Sequence, residues 1–500
     1  MNYHLRPRSI IYVFITFVFL LWLDVLILRA ADRYVVPPGT PGGTDTGAFT
    51  DWSIAATQIQ WAVDAAAAGE TVWVTNGTYN LTNRITISKA ITNRSVNGPT
   101  ATFINGNYPA YSIGCFTLQA KVYLAGFTIT NGYATTNYGA GIEISGEGFV
   151  VSNCVIADNH CSYYDAAIEG CAGGISIKSG GIVANCIISN NYADSGGGIY
   201  MHNWNETLVG SVVIANKATN GVGGGINMNG GTVSNCIIQA NTASNNSGGG
   251  IYHGASHAAA YIYNSTITQN RGCVPHLFAR GGGMRIGLGL VKDCIISNNS
   301  VDYTGGGVEL SGAVTLQNCI IISNHVSDGY GGGISIGSAA AVVQNCLVAK
   351  NVSSSRGGGI WYANIANAIV RDCTIVSNLS NSGGGIYNEY TPSTNLVENS
   401  IVYDNTASTS NNYWGVFIAT NSCSYPLLDG TGNITDDPGF VNKDTGNWRL
   451  SANSPCVNRG TNQSWMTNSV DLDGKMRIRY DRVDMGAYER IFEGTIYIFH

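Results

Sequence analysis

Residues able to do chemistry recur along this chain in columns rather than gathering in one motif. Each glycine triplet is followed by an apolar residue and then by a second position. That second position reads Glu143, Ser176, Tyr200, Asn227, Tyr252, Arg285, Glu309, Ser335, Trp361 and Tyr387. In a strand, side chains alternate between faces, so if the first residue points inward the second points outward. Aromatic rings interleaved with polar groups stack on sugar rings and hydrogen-bond to their hydroxyls. Strand propensity alone also favours Tyr and Trp at such places. The expected ligand-binding residues are Tyr200, Asn227, Tyr252, Arg285, Glu309, Trp361 and Tyr387, with His202 and His253 beside them.

An acid/base constellation is much thinner. No Gly-His-Gly motif occurs, and the adjacent pair Asp436–Asp437 lies outside the repeats. A lyase needs a base, often Arg or Lys, near acids that bind Ca²⁺ or neutralise a uronate. Lys292–Asp293 and Arg371–Asp372 have that composition, but their aspartates occupy a column otherwise filled by Asn153, Asn185, Asn235, Asn264, Asn318, Asn345 and Asn399. Each reads as Asp replacing a corner Asn. Asp471-x-Asp473-Gly474 is compatible with Ca²⁺, yet an isolated DxDG reads first as a turn. No catalytic residue, metal site or cofactor is assigned.

The elements that position these columns follow from a repeat. Glycine triplets end at Gly198, Gly225, Gly250, Gly283, Gly307, Gly333, Gly359 and Gly385, with weaker copies at Gly141 and Gly174. A second landmark is Cys154, Cys186, Cys236, Cys294, Cys319, Cys346 and Cys373, replaced by Ser211, Ser265 and Ser400 in the intervening turns. Five residues beyond every landmark stands an asparagine: Asn159, Asn191, Asn216, Asn241, Asn270, Asn299, Asn324, Asn351, Asn378 and Asn405. Each unit holds short β-prone runs between Gly and Asn corners, with no room for a helix. Such a unit cannot bury its apolar side alone, so copies must stack. At about 4.8 Å per coil, ten coils make a rod of roughly 48 Å.

The asparagines are expected to form an amide ladder along the axis and to supply the left-handed backbone of sharp corners. The landmark cysteines are expected inside, as unbridged apolar plugs. Cys161 and Cys171 are the best disulfide candidates, ahead of Cys423–Cys456.

Charged residues make up 11% of the chain and the net charge is −6, without the basic stripe of a nucleic-acid partner. His4, Arg6 and Arg8 precede an apolar run over 9–31, which reads as an export signal or, uncleaved, a membrane anchor; membrane contact is expected only there. Residues 53–70 read as an amphipathic capping helix with Ile59, Ala62, Val63 and Ala66 on one face, Ser53 at its start and Gly69 at its end. Insertions at 161–171 and 271–280 fall on one side of the rod, four coils or roughly 19 Å apart. They are expected to wall a strip floored by Tyr200, Asn227 and Tyr252.

The stretches 55–79 and "LAGFTITNG" (124–132), together with the GGGI and NC repeats, resemble right-handed parallel β-helix proteins of the pectin-lyase-like superfamily. Residues 436–462, "DLDGKMRI" (471–478) and "VDMGAYE" (483–489) resemble the bacterial choice-of-anchor Q region. The resemblance implies an all-β, right-handed parallel β-helix of about ten or more coils with an N-terminal capping helix. The divisions expected are 1–31 (signal), 32–110 (cap and first coils), 111–408 (repeats), 409–490 (C-terminal region closing the far end) and 491–500 (tail). The superfamily includes polysaccharide lyases, glycoside hydrolases and adhesins, and fold alone does not choose among them. The thin acid/base chemistry points to a non-catalytic protein, secreted or held at the cell surface or outer envelope. Its expected partner is a polysaccharide or surface glycan. The alternative is a lyase or glycosidase acting on uronate-containing polysaccharide.

Overall fold

One repeat shows how the chain winds. Its strands are Ile226–Met228, Gly231–Ser234, Ile237–Gln239 and Thr242–Ala243. Ile226 pairs in parallel with Ile199 on one neighbouring coil and Ile251 on the next. Ile226, Met228, Val233, Ile238 and Ala243 point into the rod and are fully buried. Repeating this pattern gives an all-β parallel β-helix, as expected. The computed structural model describes residues 31–135, 139–162, 171–273, 279–390, 394–479 and 481–491. Parallel pairing builds a 14-stranded sheet, an 11-stranded sheet and a 27-stranded sheet. The largest joins two faces, because Met284–Lys292 and Val308–Gln317 run as single strands through a corner that breaks in other coils. The proposed leader lies outside the described residues. Among those described, no helix is long and apolar enough to cross a membrane.

The corners divide their labour differently from expectation. The ten ladder asparagines are buried and linked side chain to side chain. Asn216 Nδ2 donates to Asn241 Oδ1 at 3.0 Å, and Asn241 Nδ2 to Asn270 Oδ1 at 3.0 Å. The chain of amides runs on until Asn405 reaches Asn412 Oδ1 at 3.1 Å. Each amide also ties down an inner carbonyl, as Asn241 Nδ2 does with Val213 O at 2.9 Å. The left-handed conformation falls one residue earlier, for example at Ala240 (φ 53°). It also falls in the column before the cysteines, at Asn235 (φ 53°) and Asp372 (φ 53°). The ladder amides are thereby aimed along the axis by a neighbour that takes the backbone strain. The glycine triplets serve close approach: a Cβ on Gly332 would stand 2.4 Å from the Gly358 carbonyl oxygen. The seven landmark cysteines are buried and unbridged, and Cys161 and Cys171 are joined by a disulfide with Cα atoms 6.1 Å apart. Cys423 and Cys456 are buried together without a bond.

Both ends differ from the sequence expectation. The N-terminal helix spans only Ile59–Ala65, following a 3-10 turn at Trp52–Ile54. Asp51, not Ser53, caps that turn, accepting the Ser53 N–H at 2.8 Å. Ile59, Ala62, Val63 and Ala66 do share the buried face. Coils continue past residue 408, with Tyr413–Trp414, Ile418–Thr420 and Cys423–Ser424 still in register. The C-terminal region then turns back along the flank instead of closing the end. Trp448 packs with Leu347, Ala349 and Val376, while Leu450, Cys456 and Met485 pack with Ile401 and Cys423.

Candidate functional site

A groove runs along the coils between residues 280 and 414, with one floor residue and one wall residue supplied by most coils. Its floor is the outward column in register: Arg285, Glu309, Ser335, Trp361, Tyr387 and then Trp414. Its wall is the residue before each glycine triplet: Arg280, Thr304, Tyr330, Arg356 and Ser382, joined by single parallel bridges. The triplet reverses the chain between them, Gly281 taking φ +69°, so the wall stands over the floor.

Where Arg280, Arg285, Tyr303, Thr304, Glu309 and Trp361 converge, they line a cavity of about 230 Å³. Glu309 is 2% exposed. Its Oε2 accepts a hydrogen bond from Thr304 Oγ1 at 3.1 Å, and Arg280 Nη1 stands 3.8 Å from Oε1. Burial pushes the Glu309 carboxyl above its usual range, against the pull of Ser335, Arg280, Arg285 and Thr304. Ser335 Oγ lies close enough to favour the ionised form but makes no hydrogen bond of good geometry. The same column at Glu143 is handled differently: Lys178 pairs with that carboxylate at 2.9 Å and the Gly139 N–H donates to it at 2.9 Å. Glu309 is thus the acid of the column left to a cavity rather than to a close ion pair.

Aromatic rings flank the cavity. Trp361 is 8% exposed, and its Nε1 has no hydrogen-bond partner among the described residues. Its ring stacks on Tyr330 at 4.8 Å, which meets Tyr303 edge-on at 5.6 Å. Arg356 lies over Tyr330 at 5.4 Å and Tyr387 at 5.1 Å, and pairs with Glu389. Tyr387 stacks on Trp414 at 4.4 Å. At the other end, Arg285 covers Tyr252 at 5.7 Å. Guanidinium groups over ring faces and rings with free edges form a surface suited to anionic and hydroxylated ligands.

The strip anticipated around Tyr200, Asn227 and Tyr252 is largely closed. Tyr200 and Asn227 are buried, and Tyr200 stacks on His202 at 3.8 Å. His202 Nε2 also reaches Ser176 Oγ at 3.2 Å. His253 belongs to the opposite face of its strand: it is fully buried inside the rod, with Nε2 on Ala258 O at 2.7 Å and Nδ1 accepting from Gly287 N at 3.3 Å. Strand parity places it with Met228 and Ile286. It is removed from the ligand-binding set. Residues 163–170 and 274–278, most of one proposed insertion wall and half of the other, lie outside the described residues. Arg285, Glu309, Trp361 and Tyr387 stay together in one column of the groove floor, with Arg285 partly exposed and Glu309, Trp361 and Tyr387 buried. The wall residues escaped sequence reading because Arg, Thr, Tyr, Arg and Ser share no composition; their fixed place before each triplet is the signal that marks them. Asp471 builds a turn, Oδ1 accepting from Asp473 N at 2.9 Å and Lys475 N at 2.8 Å.

The family model for the right-handed β-helix region matches residues 67–267 and 255–430. The chain belongs to the right-handed β-helix family. Solved structures similar to this β-helix include pectate lyase Pel9A, at 14% identity over 93% of this chain and 98% of that one (TM-score 0.33). Another is the PL6 alginate lyase AlyGC, at 12% identity over 79% of this chain and 55% of that one (TM-score 0.44). A third is the catalytic unit of a GH87 α-1,3-glucanase from Streptomyces thermodiastaticus strain HF3-3, at 14% identity over 77% and 71% (TM-score 0.40). These likenesses are of fold. Comparison with curated protein sequences gives no match.

Proposed function

We propose that this β-helix binds an extended, acidic polysaccharide along the groove from Arg280 to Trp414, as a secreted or surface-held protein. The observation that carries the reading is the meeting of Arg280, Arg285, the buried Glu309 and the unpartnered Trp361 Nε1 around one cavity. Buried polar groups normally find partners, so a vacant indole N–H beside two arginines favours an oxygen-rich anionic ligand. The coil spacing of about 4.8 Å sets successive groove residues apart by close to one sugar unit. Glycan-array binding tests it: wild type should retain acidic polysaccharides in preference to neutral ones, and Trp361→Ala should not. Equal signals from the two proteins would remove the groove from consideration.

A second reading, cleavage of the same polymer, is favoured by Glu309 alone, whose raised pKa suits a general acid. Two-carboxylate hydrolysis requires a second acid flanking the bond, and Glu309 is the one carboxyl among the described residues lining the cavity. Binding is therefore preferred. Release of oligosaccharides from an acidic polysaccharide, abolished in Glu309→Gln, would reverse that preference.

A further inference from the structure

On the flank, Arg477 is the largest fully buried side chain of the structure. It comes from the returning C-terminal region and reaches the coils. Its Nη1 donates to Asn345 Oδ1 at 3.1 Å and Gly486 O at 2.8 Å, and its Nη2 to Asp372 Oδ1 at 3.1 Å. Nη2 also stands 3.3 Å from Glu489 Oε1. Asn345, Asp372 and Asn399 are successive members of one corner column, and all three hold the returning chain. Asn345 Nδ2 donates to Val470 O at 3.0 Å, Asn399 Nδ2 to Thr461 O at 2.9 Å, and Asn399 Oδ1 accepts from Thr461 N at 2.8 Å.

Around this one buried cation lie four buried carboxyl groups: Asp372, Asp471, Asp484 and Glu489. Two of them are served by backbone donors on both oxygens. Asp471 takes Asp473 N, Lys475 N and Glu489 N; Asp484 takes Asn458 N and Arg490 N. The other two are poorly served. Asp372 Oδ2 has no partner among the described residues, although Oδ1 accepts from Arg477 Nη2 and from Asn399 Nδ2 at 3.0 Å, and Glu489 receives Asp484 N at 3.2–3.3 Å besides its ion pair with Arg477. The remaining charged groups nearby are Arg371, which lies over Trp465 at 5.4 Å, Glu398, and Lys475, whose Nζ donates to Glu489 O at 3.2 Å.

We propose that residues 438–489 are a proton-locked strap, clipped to the flank by Arg477 between Asp372 of the coils and Glu489 of its own chain, and released as these two acids ionise. Beneath the strap, Leu347, Ala349, Val376 and Ile401 are buried. The outward column that contains Leu347 and Ile401 continues upstream as Ile187, Ile237 and Ile295, each 43–44% exposed. Release would extend that apolar face along the rod.

The direction follows from burial, which lifts Asp372 to about 7 and Glu489 to about 8. Acids with raised pKa favour the docked, protonated state. That contribution is complete below the ordinary carboxylate range and is lost as pH rises through about 7 to 8.

The test is amide hydrogen exchange of the full chain from about pH 5 to about pH 9, corrected for intrinsic rates. Strap peptides over 440–450 and 470–489 are compared with coil peptides over 226–262. Opening of the strap relative to the coils should rise at least about tenfold, the equivalent of one pKa unit. Asp372→Asn should stay docked at high pH and flatten the rise, since Asn occupies that corner in the neighbouring coils; Glu489→Gln should do the same in part. A ratio independent of pH, an unchanged slope in both variants, or an undocked strap in Asp372→Asn at low pH would each overturn the proposal.

Discussion

Arg280 and Glu309 face each other at 3.8 Å across the reversal that sets the groove wall over its floor. The two ends of this pair are unlike: the arginine side chain is 40% exposed and the glutamate 3%. One partner is offered to solvent and the other withheld, which is a poor arrangement for stability and a useful one for a ligand. On the proposed function, an arriving carboxylate or sulfate would meet the open guanidinium first, and the buried acid would tune how strongly it is held.

Such tuning would make binding pH-dependent. With the Glu309 carboxyl pushed up by burial, the proton stays on over a pH range in which an ordinary glutamate has lost it. The protonated pocket repels an anionic glycan less, so affinity should fall as pH rises through the Glu309 titration. Glu309→Gln should bind without that slope. Titrations of an acidic oligosaccharide at several pH values check both statements.

Trp361→Phe separates the indole N–H from the ring. Stacking on Tyr330 survives in the variant, so thermal stability should change little. Affinity should drop about threefold to tenfold, the net worth of one hydrogen bond. Melting curves and binding isotherms on the same sample read the two effects apart.

Asn241→Ala interrupts the amide ladder in mid-rod. It removes donors to Val213 O and Asn270 Oδ1 and the acceptor for both Asn216 N and Asn216 Nδ2. Buried groups left unpaired cost about 1–3 kcal/mol each, so a loss of at least about 3 kcal/mol in urea unfolding is expected. Binding in the groove, on another face, should persist in whatever fraction remains folded.

Gly332→Ala places a methyl group 2.4 Å from the Gly358 carbonyl oxygen. Backbone on the adjacent coil cannot turn aside as a side chain would. Destabilisation of about 1–3 kcal/mol is expected from such overpacking, again read by unfolding.

The sequence made the winding legible because a fixed offset of five residues from Cys or Ser to Asn repeats on ten successive coils. The buried ladder and inward cysteines are the same regularity seen in space. Period-two alternation, however, separates lumen from exterior and says nothing of what lies over the exterior. Tyr200 and Asn227 therefore read as an open strip although both are buried in the structure, and His253, next to Tyr252 in sequence, points by parity to the inside. The wall residues Arg280, Tyr330 and Arg356 have a position but no shared chemistry, so composition could not reveal them. The strap illustrates the opposite case. Asp372 breaks an asparagine column in the sequence, as Asp293 also does, and at Asp372 the break coincides with Arg477, which arrives from more than a hundred residues away.

Calorimetric titration of the full chain with oligogalacturonate and oligomannuronate, against neutral oligosaccharides of equal length, decides whether the groove at Arg280, Arg285 and Glu309 holds an acidic glycan. Saturable binding of at least one acidic oligosaccharide and of none of the neutral ones is expected, with a loss of about tenfold or more in Arg280→Ala and in Arg285→Ala, since charge-assisted hydrogen bonds are each worth about 1.5–3 kcal/mol. Binding that ignores both substitutions, or a preference for the neutral ligands, would contradict it.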